Sequence, residues 1–183
     1  VEIIKSDLSG CLLIKPQVFG DERGFFLETY QYARYSTLAG ITLPFVQDNH
    51  SKSMKGILRG LHYQQQQTQG KLVRVISGKV FDVAVDMRKS SPTFGKAVGV
   101  ELSSDNNRQL WVPEGFAHGF YVMTDSAEFV YKCTDYYHPE SEVSVRWDDA
   151  DIGIAWPLVD GELPQLSGKD EQGFAFKAAP KFD

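Results

Sequence analysis

The fold class is decided by the stretch Val80–Met87, VFDVAVDM, in which apolar residues recur at every second position. Successive side chains of a β-strand point to opposite faces, so this period of two predicts a strand. Phe81, Val83, Val85 and Met87 would share one face, and Asp82, Ala84 and Asp86 would share the other.

Short strand-like segments of this kind recur along most of the chain. We predict them at about residues 11–15, 24–29, 45–52, 57–65, 71–77, 97–103, 108–112, 117–124, 127–134 and 142–147. Turn signals such as Ser77-Gly78 and Ser104–Asn107 separate them. Only residues 30–39, stopped by Gly40, and a short C-terminal stretch have a helical pattern. Regularly spaced short strands predict a mainly all-β fold, a jelly-roll β-barrel with a few short helices.

Length and composition fit one globular domain over residues 1–183. The hydrophobic fraction is 42% and the charged fraction 23%, both close to the globular average. The net charge of −5 argues against a nucleic-acid partner, which needs a basic face. No apolar run exceeds four residues, so we expect no membrane span.

The expected setting is a reduced cytoplasm. The stretch Val1–Lys5 lacks the basic and apolar regions of a signal peptide. Cys11 and Cys133 lie far apart without a CxxC pair, which supports neither a disulfide framework nor a zinc ribbon.

Motifs for metals and nucleotide cofactors are absent from the sequence. Gln64 stands where the second histidine of a His-x-His metal motif would stand, and His50, His62, His118 and His138 are scattered. The chain contains no GxGxxG, P-loop or GxSxG motif. We therefore expect no metal and no cofactor, so an enzyme with this sequence would use its own side chains.

A histidine and an arginine stand close together in one predicted strand, at Arg59 and His62. An imidazole, with a free pKa of about 6.5, can exchange protons at neutral pH, and a guanidinium group can hold an anion. Three positions separate the two residues, so an ideal strand would send them to opposite faces. If both serve one site, we expect Gly60 to mark either a β-bulge or the entry to the strand.

Further polar residues stand where a strand would bury apolar ones. Gln47-Asp48-Asn49 interrupts the strand expected from residue 45, and Asp82 opposes the apolar face of its strand. Tyr131 shares the parity of Phe129 and Cys133. Each could be an ordinary surface, salt-bridge or core residue. Together they indicate a polar barrel interior, which is costly unless it binds something polar.

Six motifs follow one another along the chain. They are FGDERGFF at residues 19–26, FVQDNHS at 45–51, LRGLH at 58–62, GKLVR at 70–74, PEGFAHGF at 113–120 and SGKD at 167–170. In this order and spacing they resemble the dTDP-4-dehydrorhamnose 3,5-epimerases, which are cofactor-free, cupin-like sugar-nucleotide epimerases. The resemblance covers nearly the whole chain. It implies a jelly-roll homodimer in which the N-terminal arm, about residues 1–30, is exchanged with the partner subunit.

The resemblance also implies roles for individual residues. His62 is the expected catalytic base, oriented by Asp170, and Tyr131 is the expected proton donor on the other side of the sugar. The expected substrate contacts are Arg23, Glu28, Gln47, Asp48, Asn49, Arg59, Lys71, His118 and Tyr137, the last by stacking on thymine. Arg23 and Glu28 would come from the arm of the neighbouring subunit.

The implied reaction inverts C3 and C5 of dTDP-4-dehydro-6-deoxy-D-glucose and yields dTDP-4-dehydro-L-rhamnose, in dTDP-L-rhamnose biosynthesis. The C4 ketone acidifies the protons on both neighbouring carbons, because either carbanion delocalises into an enolate. One alternative is an epimerase acting at C3 only, or a ketoisomerase, on a related dTDP-sugar. Another is a non-catalytic sugar-nucleotide binder, which would need neither His62 nor Asp170 nor Tyr131.

Overall fold

The computed structural model describes all residues from Val1 to Asp183. Its strands are β1 (Glu2–Lys5), β2 (Leu12–Lys15), β3 (Val18–Asp21), β4 (Gly24–Leu27), β5 (Gln47–Met54), β6 (Leu58–Gln64), β7 (Lys71–Ser77), β8 (Lys79–Asp86), β9 (Ala97–Ser103), β10 (Gln109–Val112), β11 (Phe116–Val122), β12 (Ser126–Cys133) and β13 (Glu142–Ser144). The α-helices are α1 (Tyr32–Ala39) and α2 (Gly168–Glu171). Neither helix has the length and apolar character needed to span a bilayer.

The strands form two antiparallel sheets and one separate hairpin. The six-stranded sheet has the order β1-β2-β10-β7-β12-β5, and the five-stranded sheet has the order β13-β6-β11-β8-β9. Strands β3 and β4 pair only with each other. This is the mainly β, jelly-roll architecture that the sequence predicts, and the prediction is confirmed.

Residues 80–86 of the stretch Val80–Met87 lie in β8, and both faces of this strand are buried rather than one. Val80 and Ala84 belong to the core between the sheets, where they meet Val73 and Phe129 of the opposite sheet. Residues of the other face, such as Val83, pack beneath the C-terminal part of the chain. That part is largely irregular, so the expected C-terminal helix is only the short α2.

The polar run Gln47-Asp48-Asn49 does not interrupt a strand, and the prediction that it does is wrong. These residues are the first three of β5, and they pair with Cys133, Lys132 and Tyr131 of β12. Polar side chains are compatible with this strand because one of its faces is open to solvent and the other borders a cavity.

The helix predicted from residue 30 begins at Tyr32 and ends at Ala39. The side chain of Gln31 accepts a hydrogen bond from the Arg34 backbone N–H and caps the first turn. Gly40 adopts a left-handed conformation, with φ of 68°, and ends the helix. Tyr35 packs with Ile14, Leu72 and Trp111 on the outer face of the six-stranded sheet.

The β3–β4 hairpin carries large apolar side chains into solvent. Phe19, Phe25 and Phe26 are 60%, 65% and 68% exposed. Strand β3 was not predicted, because the alternating burial that marks a strand in sequence is missing from it.

Candidate active site

A cavity of about 710 Å³ opens between the two sheets. Its polar lining includes Arg59, His62, Lys71, His118, Tyr131, Tyr137, Glu142, Ser167, Lys169 and Asp170. A second cavity of about 260 Å³ shares several of these residues and adds Gln47 and Asn49. The volume of the larger cavity suits a ligand of nucleotide-sugar size. Most of the predicted site residues therefore meet in one place.

Arg59 and His62 line the same cavity because a β-bulge separates them. His118 of β11 is opposite His62, and Phe120 is opposite Arg59. Gly60 and Leu61 therefore oppose the single residue Gly119, as in a bulge. Gly60 has φ of 116°, and a Cβ at this position would lie 2.6 Å from the Cα of Gly119. Of the two expectations for Gly60, the structure shows the bulge rather than the entry to the strand, and glycine is required there.

His62 is hydrogen-bonded through Nε2 to the carboxylate of Asp170. The Ser144 hydroxyl donates to the same carboxylate at 3.2 Å, and the Ser167 hydroxyl donates to it at 2.9 Å. Burial raises the pKa of Asp170, but the hydrogen bonds from His62, Ser167 and the Gly60 backbone N–H outweigh it and lower the pKa below 3.8. Asp170 is therefore ionised at neutral pH and would stabilise a protonated imidazole.

His118 forms a second histidine–aspartate pair. Its Nε2 lies 2.9 and 3.1 Å from the carboxylate oxygens of Asp82. Asp82 has no exposed surface, and burial raises its pKa despite the opposing effects of His118 and Lys71.

Tyr131 and Lys71 face the cavity from the six-stranded sheet. Burial, with the nearby Cys133 and Glu142, raises the pKa of Tyr131 to about 12, so its hydroxyl keeps its proton. Burial lowers the pKa of Lys71. No carboxylate oxygen lies within 4.0 Å of Lys71 Nζ, so this group can donate hydrogen bonds to an oxygen atom of a ligand.

Glu142 and Lys169 also line the cavity, and neither is among the residues predicted from the sequence. Oε2 of Glu142 accepts a hydrogen bond from Lys169 Nζ at 2.8 Å and from the Tyr137 hydroxyl at 3.1 Å. Lys169 lies within the SGKD motif, which could have indicated it. No comparable signal marks Glu142 at the start of β13.

Three predicted substrate contacts lie outside this chain's cavity. Asp48 points to the outer face of the sheet, where Lys132 Nζ lies 3.0 Å from its carboxylate. The alternation of β5 explains this position, because Gln47 and Asn49 take the inner face. Arg23 pairs with Asp21 in the exposed hairpin. Glu28 lies 3.1 Å from Arg34.

Comparisons with known proteins agree on one family. A family model described as dTDP-4-dehydrorhamnose 3,5-epimerase matches residues 5–178. The dTDP-4-dehydrorhamnose 3,5-epimerase of Salmonella typhimurium is 56% identical over 182 residues, which is 99% of this chain and 95% of that protein.

Solved structures give the same result. The dTDP-6-deoxy-D-glucose-3,5-epimerase of Legionella pneumophila, in complex with dTDP-4-keto-L-rhamnose, is 57% identical with a TM-score of 0.94, covering 98% of this chain and 94% of that one. A 3'-monoepimerase of Streptomyces bikiniensis, in complex with dTDP-quinovose, is 34% identical with a TM-score of 0.87, covering 94% and 86%. From the family model and this identity over almost its full length, the chain belongs to the dTDP-4-dehydrorhamnose 3,5-epimerase family.

Proposed function

We propose that the protein is an isomerase that inverts C3 and C5 of dTDP-4-dehydro-6-deoxy-D-glucose and yields dTDP-4-dehydro-L-rhamnose, for dTDP-L-rhamnose biosynthesis. One observation carries this proposal. A histidine paired with an ionised aspartate and a protonated tyrosine line one cavity from different sheets, His62 on β6 and Tyr131 on β12. Inversion at a carbon needs a base on one side and an acid on the other, and this arrangement supplies both.

In the proposed mechanism, His62 removes the proton from the carbon next to the C4 ketone. Asp170 stabilises the imidazolium that forms and fixes the orientation of the ring. The electron pair moves into the enolate, whose oxygen would be stabilised by Lys71 or His118. Tyr131 then protonates the carbon from the opposite face. Before the second carbon reacts, His62 releases the abstracted proton to solvent and the Tyr131 phenolate takes one up. The same steps then invert the second carbon.

The nucleotide would be held by residues further along the cavity. Arg59 is the one arginine of this chain that lines it, and a guanidinium group matches diphosphate oxygens. Tyr137, which is 53% exposed, would stack on the thymine. Gln47, Asn49 and His118 complete the proposed contacts, whereas Asp48 is not retained among them.

We propose a homodimer in which the β3–β4 hairpin reaches the partner subunit. The exposed phenylalanines of the hairpin are costly in water, and a second copy of the chain would cover them. This arrangement would bring Arg23 and Glu28 to the partner's cavity, and residues 1–183 would form one domain with an exchanged N-terminal arm.

We also propose that the enzyme works without a metal or an organic cofactor, in the cytoplasm. His62, Tyr131 and Lys71 together supply the base, the acid and the enolate stabiliser, so the chemistry is complete with side chains. Cys11 and Cys133 are both free thiols, which suits a reducing compartment.

The test is to incubate the pure protein with dTDP-4-keto-6-deoxyglucose in heavy water and locate the incorporated deuterium. Deuterium with inversion at both C3 and C5 is expected, before and after exhaustive chelation. Inversion at C3 alone would support the monoepimerase alternative, which the similarity to the Streptomyces bikiniensis enzyme motivates. Binding without exchange would support the non-catalytic binder, and activity restored by one metal after chelation would contradict the cofactor-free mechanism.

A further inference from the structure

Gln64, at the end of β6, makes an unusually complete set of hydrogen bonds for a buried side chain. It is 4% exposed. Its Nε2 donates to the backbone carbonyl groups of Gln67 at 2.8 Å and Tyr136 at 3.1 Å. Its Oε1 accepts from the backbone N–H of His138 at 2.9 Å. Both amide hydrogens and the carbonyl oxygen are therefore used, and every partner is a backbone group.

These bonds join two loops at the residues on either side of Tyr137. The Tyr136 carbonyl and the His138 N–H are held by Gln64, and the N–H of Tyr137 itself donates to Gln47 Oε1 at 2.9 Å. The backbone on both sides of the tyrosine is thus fixed from the cavity wall. The Tyr137 ring remains 53% exposed, so its direction depends on this backbone and on the hydrogen bond from its hydroxyl to Glu142 Oε2, rather than on close packing of the ring.

Only a carboxamide of this length can make the three bonds together. A carboxylate would accept from His138 but could not donate, and it would face two carbonyl oxygens. A methionine would fill the space but could make none of the three hydrogen bonds.

We propose that Gln64 is a positioning residue that sets Tyr137 for contact with the base of the nucleotide. This inference rests on the proposed function, in which Tyr137 stacks on thymine. It gives a role to the residue that occupies the place of a metal ligand in a His-x-His motif. Gln64 lines the smaller cavity together with Tyr137 but not the larger one, and its hydrogen-bonding atoms are taken up by backbone groups, so it acts through Tyr137.

The test compares Gln64→Met with Gln66→Met, the same substitution at an exposed residue of the same loop. For Gln64→Met we expect dTDP to bind on the order of 10-fold more weakly, the scale of a lost base–aromatic stacking contact. Pyrophosphate affinity should stay within about twofold and kcat within about threefold, because Arg59 and the His62 pair are untouched. Gln66→Met should match the wild type throughout.

A double-mutant cycle identifies the route of the effect. If Gln64 acts through Tyr137, the variant Gln64→Met/Tyr137→Ala should bind dTDP no more weakly than Tyr137→Ala alone. Additive losses would overturn the proposal. So would unchanged dTDP affinity in Gln64→Met, or an equal loss of dTDP and pyrophosphate affinity.

Hydrogen exchange supplies a readout that needs no nucleotide. In Gln64→Met, and also in Gln64→Glu if the first variant does not fold, amides of residues 136–138 should exchange at least about 10-fold faster while those of β12 are unchanged. Unchanged exchange at residues 136–138 would overturn the proposal. If the wild type binds no dTDP but the variant still shows accelerated exchange at residues 136–138, the proposed function fails. The hydrogen bonds from Gln64 would then still be shown to hold the backbone around Tyr137.

Discussion

His62 and His118 lie directly opposite each other on the paired strands β6 and β11, and each ring is hydrogen-bonded to a different buried aspartate. The two pairs differ in their electrostatics. The pKa of Asp170 is lowered below 3.8, whereas burial raises the pKa of Asp82. Asp170 is ionised and hydrogen-bonded to His62, so it can stabilise the imidazolium that a base becomes, and the pair of His62 and Asp170 is the candidate for proton abstraction.

The first prediction follows from this difference. His62→Ala should abolish both deuterium exchange and epimerisation, with a loss on the order of 10⁴-fold or more, while the melting temperature changes little. His118→Ala should slow turnover on the order of 10²-fold but still exchange the C3 proton, because it removes only a stabiliser of the enolate. Exchange near the wild-type rate in a folded His62→Ala protein would show that another group is the base.

Asp170→Asn should keep the shape of the site and lose its charge. The amide cannot stabilise the imidazolium, so we expect kcat to fall on the order of 10²-fold with KM little changed. Steady-state kinetics on the folded variant checks this result. A KM effect without a kcat effect would instead indicate that Asp170 acts in substrate binding.

Tyr131→Phe should separate proton removal from inversion. The substitution keeps the ring and removes the hydroxyl, so the fold should survive with little cavity cost. The enolate should still form, and His62 can return a solvent deuteron to the original face. We expect deuterium incorporation with retained configuration, while inversion, most severely at C5, falls on the order of 10²-fold. Inversion at both carbons at the wild-type rate would show that a different acid acts.

If the β3–β4 hairpin forms the dimer interface, polar substitutions of its exposed phenylalanines should weaken the dimer. Phe19→Ser/Phe25→Ser should weaken the homodimer and lower activity, most clearly on dilution, because the partner's arm would complete each site. Sedimentation and activity measured at the same concentrations check this. Leu163→Ser, which changes an apolar residue that is 78% exposed outside the hairpin, should leave both unchanged. A fully active wild-type monomer would contradict the shared site.

The ionised carboxylate of Asp86 should contribute to the free energy of unfolding, and this contribution should be lost in acid. Burial raises the pKa of Asp86, but hydrogen bonds from Arg88, Ser91 and Thr93 outweigh it and lower the pKa from 3.8 to about 2. Because the folded pKa is lower, the contribution is complete above about pH 4 and disappears as the pH falls toward 2.

Asp86→Asn should therefore reduce the free energy of unfolding by about 2 kcal/mol at neutral pH and by progressively less below pH 4. Denaturant titrations across this range measure the difference. The control is Asp105→Asn, at an exposed residue of the β9–β10 turn. A loss that does not shrink in acid would show that the charge of Asp86 is not its source.

The sequence by itself determined the features that depend on local rules. The period of two in Val80–Met87 predicts a strand because side chains alternate across the pleat. If Arg59 and His62 serve one site, their three-residue separation predicts a break in this alternation at Gly60 for the same reason. Gly40 ends α1 at the position predicted from the sequence, because glycine adopts the left-handed conformation at low cost.

The tertiary structure decided the features that depend on contacts between residues far apart in the sequence. His62 and Asp170 are 108 positions apart, and the residues alone suggested no reason for them to touch; only the family resemblance paired them. Glu142 enters the cavity because β13 pairs with β6, and nothing in its local sequence indicates that pairing. Asp48 lies outside the cavity although Gln47 and Asn49 line it, because alternate residues of β5 point to opposite faces of the sheet. Local pattern fixes which residues alternate, but only the packing of the two sheets fixes which face becomes the wall of the cavity.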